Sequence, residues 1–254
     1  MTPPVKPAIT IEGVIQELDR IIDWSIDQSN RIGYFACLYR KVTVAVKEGI
    51  ANNTFEDGPR MERLDVIFAN RFLEAFRQYQ AKERCTKSWL LAFEQAMFWR
   101  PLVIQHLMLG MNAHINLDLG IAAAETVKGG SIEDIKPDFF KINDLLLSLI
   151  DGVQDQLASI SPLMRRLDVI GQFDEMIAGA GIDLARTQAW SVAQAFAAIP
   201  EAEWDDKIAE LDGKILRTGQ RILQPGNGLL IQLGLFVIRL VEFHPVSKKI
   251  ELLR

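Results

Sequence analysis

Residues 105–119 read Gln-His-Leu-Met-Leu-Gly-Met-Asn-Ala-His-Ile-Asn-Leu-Asp-Leu, and this stretch constrains the fold more tightly than any other. His106, Asn112, His114, Asn116 and Asp118 sit there inside an otherwise apolar run. Polar groups taken out of water must be hydrogen-bonded, paired or ligated, or each is strongly destabilising. The leucines and the isoleucine draw the segment into a core, so other elements must supply partners for its polar groups. It therefore reads as a site.

The alternation of Asn112, His114, Asn116 and Asp118 with apolar residues resembles a strand when taken alone. Its flanks argue for a helix. Residues 102–109 are apolar at helical spacing, and Ile121-Ala122-Ala123-Ala124 favours helix. On a helix, Asn112 and Asn116 share one face, and His114 and Asp118 share the opposite one. A helix polar on two opposite faces belongs at the centre of a bundle. His106 is about 80° from His114 around the axis, so both could line one pocket. Gly110 between them lowers helix stability and leaves room for close packing or a ligand.

The rest of the chain is patterned for helices. Ile11, Val14, Ile15, Leu18, Ile21 and Ile22 recur at steps of three and four. Helices are expected at 33–50, at 60–82 after the Gly58-Pro59 break, at 88–100 ended by Pro101, and from there to about 127. Further ones are expected over 139–160, from Ser161-Pro162 onward, and at 182–198, 201–223 and 228–243. No repeat or alternating β-branched run appears. The expectation is a single all-α domain over 1–254, a bundle of eight to ten helices with a central polar helix and a disordered tail at 1–8.

Of the 254 residues, 49% are hydrophobic and 24% charged, enough for a sizeable core, and the net charge is −5. No basic cluster suggests nucleic acid as a partner, and Lys248-Lys249 reads as solvated surface. Residues 229–241 are too short to span a membrane and read as a buried helix. Two distant cysteines and no signal-peptide pattern suggest a reduced, cytoplasmic setting. No GxGxxG, Walker A, GxSxG, CxxC or HExxH run occurs, so no nucleotide cofactor is expected.

His114 and Asp118, four residues apart, can meet on one side of a helix. They could bind metal, or Asp118 could orient His114 as a general base; the structural alternative is a simple hydrogen bond. Asp65, beside the inward stripe of Leu64 and Phe68, is the remote candidate to join His106 and His114, or else to pair with an arginine. Arg186 and Trp190 are spaced to stack, and Tyr39 is a weaker candidate lining residue. The expected catalytic set is thus His114, Asp118, His106 and Asp65. The expected binding set is Asn112, Asn116, Gly110, Arg186, Trp190 and Tyr39.

The order Gly33-Tyr34-Phe35-Ala36, Leu38-Tyr39-Arg40, Phe55-Glu56-Asp57, Leu64-Asp65-Val66, Phe68-Ala69-Asn70-Arg71, then residues 110–119, Arg186 and Ala189-Trp190, resembles a bacterial family catalogued as a domain of unknown function, number 5995. The resemblance covers most of the chain and implies that these constellations share one fold, without naming a reaction. Its hallmark positions fall on Asp65, His106, Gly110, Asn112, His114, Asn116, Asp118, Arg186 and Trp190. A looser echo of the helical zinc-dependent phospholipase C and nuclease group, His106…Gly110…His114, lacks that group's Gly-Asp pair and its further histidines.

Three functions follow as expectations. The first is an enzyme with an interior pocket acting on a small, largely apolar molecule. It would use acid–base chemistry such as cyclisation or isomerisation, or hydrolysis through one divalent metal (Zn, Fe or Mn) on His106, His114 and Asp118. The second is a non-catalytic binder of an apolar ligand. The third is a structural polar network with no site.

Overall fold

The computed structural model describes residues 5–163, 179–225 and 229–254, and the described residues are all-α. The helices are α1 (Ile11–Asp27), α2 (Ile32–Ala51), α3 (Gly58–Ala81), α4 (Lys87–Gln95), α5 (Val103–Ala113), α6 (Gly120–Thr126), α7 (Lys136–Ile160), α8 (Gly179–Ala197), α9 (Trp204–Leu223), α10 (Leu229–Val241) and α11 (Val246–Leu253). Short 3-10 turns at Ile132–Ile135 and Glu201–Glu203 precede α7 and α9. The helix expected after Ser161-Pro162 lies outside the described residues.

α1 and α2 form a tight helical hairpin. The Thr10 side chain accepts from the Gly13 amide at the start of α1. α3 opens on Asp57, whose side chain accepts from the Arg60 amide, with Pro59 in the first turn. Val5 and Ala8 are buried, and Asn70 bonds both the amide and the carbonyl of Ala8. The segment from Val5 onward is therefore packed, where the sequence suggested a disordered tail through residue 8.

Remote carboxylates hold the helix starts. Asp212 of α9 accepts from the amides of Lys87 and Ser88 at the start of α4. Glu242, after α10, accepts from the Val103 amide opening α5 and from the Ser161 hydroxyl. Asp138 of α7 accepts from the Glu56 and Asp57 amides before α3. Each satisfies amide donors that the helix leaves free, at its positive end.

Three sequence expectations need correction. α4 ends at Gln95, so Met97 is not aligned with Trp89 and Phe93 and is 63% exposed. Phe98 and Trp99 turn outward beside it before Pro101. α10 is not buried throughout: among its described side chains Ile238 faces in, as does Glu242 just after it, while Leu233, Phe236, Val237 and Leu240 are exposed. Mean hydropathy cannot reveal that a helix packs on one side. Lys249 is buried, not solvated. Val246, Lys249, Ile250 and Leu253 share the inward face of α11, and the Lys249 ammonium donates to the Glu242 carbonyl. Among the described residues no helix is long and apolar enough to cross a membrane.

The polar segment crosses the middle. α5 packs on α2, α4 and α9, and α6 packs on α3 and α8. Between them His114–Leu119 winds as a π-helix, so α5, the π turn and α6 form one continuous rod. Its wider i→i+5 turn shifts the register of everything that follows, and such turns recur at functional sites. Glycines allow the close approach on either side. A Cβ on Gly110 would lie 2.4 Å from Cδ2 of Phe35, and one on Gly120 would lie 2.6 Å from the Ala189 carbonyl oxygen.

Candidate functional site

A cavity of about 140 Å³ lies between the polar rod, α2, α3 and α7, with Arg186 of α8 on its wall. Regular spacing builds the walls. Ile104, Leu107, Met111, Ile115 and Leu119 supply the rod's stripe; Leu38, Val42 and Val46 come from α2, and Met61 and Leu64 from α3. Ile142, Leu146, Leu149, Ile150, Val153 and Leu157 form one stripe along α7. Among the described residues, only Tyr39, Asp65, His114 and Arg186 bring polar side-chain atoms to this lining.

Those four side chains come from four elements, and all are buried. Each has a polar atom without a hydrogen-bond partner: the Tyr39 hydroxyl, Oδ2 of Asp65, both ring nitrogens of His114 and Nε of Arg186. Natural proteins leave few such atoms, and each costs roughly 1–3 kcal/mol. Four of the side chains that carry such an atom line this one apolar cavity, while others, among them both ring nitrogens of His106 and the Trp190 indole, lie elsewhere.

The His114 ring is clamped. It stacks on Phe68 at 3.6 Å between centroids and meets the Tyr39 ring edge-on at 4.2 Å. Burial lowers its pKa; the nearby Asp118 pulls the other way without prevailing, so the imidazole is neutral at pH 7. Burial pushes the Asp65 carboxyl up to about 8, with Glu62 adding to the rise, so it carries its proton at pH 7. Burial, then Asp65 and Asp118, raise the Tyr39 hydroxyl well above its usual range. Burial lowers Arg186 to about 9, against a pull upward from Asp183, and the guanidinium remains charged.

Asp118 lies beside His114 on the rod but turns away from the cavity. Its carboxylate accepts from Nε of Arg71 at 2.8 Å and from the Trp89 indole at 2.7 Å. Nδ1 of His114 is 3.9 Å from Oδ2 of Asp118, too far for a hydrogen bond. Burial alone would raise the Asp118 pKa, but Arg71, His114 and the Trp89 bond together hold it below the usual carboxylate range. Asp118 does not line the cavity. It fixes the rod to α3 and α4.

The other candidates also separate. His106 lines a different, smaller cavity with Arg31, Phe72 and Trp89, and its ring meets Tyr34 edge-on at 5.8 Å. Burial drives its pKa down to about 3, aided by Arg31. Asn112 donates to the Ile215 carbonyl of α9 and accepts from Asn116. Gly110 is filled by Phe35 and is not open to a ligand in the large cavity. Arg186 stacks on Phe139 at 4.5 Å rather than on Trp190. Trp190 packs on Phe139 and Phe140, under the Lys136 ammonium. No arginine pairs with Asp65 among the described residues.

His106, His114 and Asp118 do not converge as a metal-ligand set. Among the described residues no three His, Cys, Asp or Glu groups are placed to share an ion. The partners that sequence reasoning missed are Arg71 and Trp89. Arg71 sits six residues after Asp65 on α3 and reaches Asp118 across 47 residues of sequence, which no local pattern reveals.

The fold and the site define an all-α bundle with a buried, apolar cavity carrying four unsatisfied polar groups. The chain belongs to the family of unknown function DUF5995, whose model matches residues 11–225. That match spans every residue lining the large cavity and stops before α10 and α11. No curated protein and no solved structure matches the chain.

Proposed function

We propose that this protein is an acid–base enzyme that takes a small, largely apolar molecule into the cavity and moves a proton on it. One observation carries the reading: the unpartnered groups of Tyr39, Asp65, His114 and Arg186 all line a single, otherwise apolar cavity. A protonated carboxyl and a neutral imidazole lining one cavity supply an acid and a base together at neutral pH. Asp65 donates its proton to the substrate, and His114 removes one from another atom of it. The sum is an isomerisation or a cyclisation, with both groups reset by exchange with solvent. Tyr39 orients the bound polar group, and the apolar walls exclude water.

The test starts from whatever small molecule co-purifies, identified by mass spectrometry of an organic extract. Incubation with the protein in D₂O is expected to load deuterium into that molecule or convert it to an isomer. Asp65→Asn and His114→Gln should retain the ligand and lose deuterium uptake by about 10²-fold or more. Uptake should fall as pH rises past about 8, where Asp65 ionises. A ligand that is bound but never exchanged or altered by the wild type would reduce the protein to a binder.

A further inference from the structure

We infer that the molecule taken into the cavity is an amphipathic anion, an apolar chain ending in a carboxylate, with its head held by Arg186. This rests on the reading of the cavity as a binding site and names its ligand class. Arg186 is 3% exposed and lines the cavity. Its guanidinium lies over the Phe139 ring and donates one Nη2 bond to the Phe139 carbonyl, while Nε has no partner. Among the described residues no carboxylate lies within ion-pair distance of it. Asp183, the acid that acts on it through space, is exposed and already accepts from the Asn143 side chain.

A buried guanidinium without a counter-charge is expensive, and its planar fork of donors fits a carboxylate. Among the described residues Asp65 is the one acid on the cavity wall; burial holds it protonated, so it does not repel an anion.

The lining of the cavity supplies the rest of the ligand. Phe139 and Ile142 place Arg186 near the start of α7, and the apolar stripe runs on to Leu157. At about 1.5 Å per residue, residues 142–157 extend roughly 22 Å. That apolar wall and the volume of about 140 Å³ suit a hydrocarbon chain of modest length.

Calorimetric titration with octanoate, 1-octanol and octylamine at pH 7 tests the inference. Octanoate is expected to bind at least roughly tenfold tighter than octanol, the scale of a charge-assisted pair. Arg186→Gln should erase that preference and leave octanol affinity unchanged, while Arg186→Lys should keep part of it. Circular dichroism checks that each variant folds; if Arg186→Gln does not, the wild-type ranking and Arg186→Lys still decide. Equal affinity for octanoate and octanol, or a preference surviving in Arg186→Gln, would overturn the anion while leaving the cavity reading intact. Preference for octylamine would also overturn it. Binding of none of the three would overturn both the inference and the cavity reading.

Discussion

Along the rod formed by α5, the π turn and α6, buried polar groups that line the cavity and neighbouring ones that turn away from it fare differently. Away from the cavity, Asp118 is paired with Arg71 and Trp89, and Asn112 is bonded to Asn116 and to the α9 backbone. Toward the cavity, His114 has no bonded partner, and neither Oδ2 of Asp65 nor the Tyr39 hydroxyl has one. Polar groups that serve the fold find partners within it, because a missing bond costs stability. Under the proposed function, the groups left without partners around the cavity are those that meet a ligand; His106, beside the small cavity, is unpartnered too. Asn116 sits between the two cases: its amide donates, but its own carbonyl oxygen is unpartnered.

The hardest blow to the paired side is Asp118→Ala. It leaves the Arg71 charge and the Trp89 indole without their acceptor, and chemical denaturation should record a loss of about 3–5 kcal/mol at pH 7. Because the folded pKa is depressed, this contribution is present above the ordinary 3.8 and is lost as pH falls through the folded value. An unchanged midpoint would mean that the pair does not hold the rod.

On the cavity side the sign reverses. Asp65 is raised from 3.8 to about 8, so the folded chain keeps a proton that the unfolded chain releases between those values. Its contribution to stability therefore falls as pH rises through that window. Asp65→Asn should stabilise the protein at pH 7 by on the order of 3 kcal/mol, shrinking toward zero near pH 4. Stability traded for function is the expected signature there. A variant less stable than the wild type at pH 7 would show that Asp65 serves the fold.

Gly110→Ala probes the packing that both sides share. Its Cβ would crowd Phe35, which also touches His114 edge-on, and melting should report a cost of about 1–3 kcal/mol. The smallest effect belongs to Asn116→Ala, which removes one neutral hydrogen bond to Asn112 and should cost about 1 kcal/mol or less. A loss as large as that of Asp118→Ala would place the asparagines among the main ties of the bundle.

Much of the fold was legible in the chain because helical periodicity is local. Apolar residues at steps of three and four marked α1, α2 and α3, and the Gly58-Pro59 break marked the start of α3. The polar segment was legible as a core element for the same reason. What stayed hidden is non-local. The i, i+4 spacing of His114 and Asp118 suggested one working pair, but the π turn and the reach of Arg71 gave the carboxylate to the scaffold and the imidazole to the cavity. His106, eight residues earlier on the same rod, went to a separate small cavity. Lys249 looked solvated until the buried Glu242 gave it a partner.

The sequence by itself determined that this is an all-α chain whose central helix carries polar groups requiring partners, since hydrophobic pattern and desolvation cost are properties of the residues. Only the tertiary structure decided which of those groups would be satisfied. Partner choice depends on helices distant in the chain meeting across a few ångströms. That meeting brought Tyr39, Asp65, His114 and Arg186 to one apolar cavity and left them without partners there.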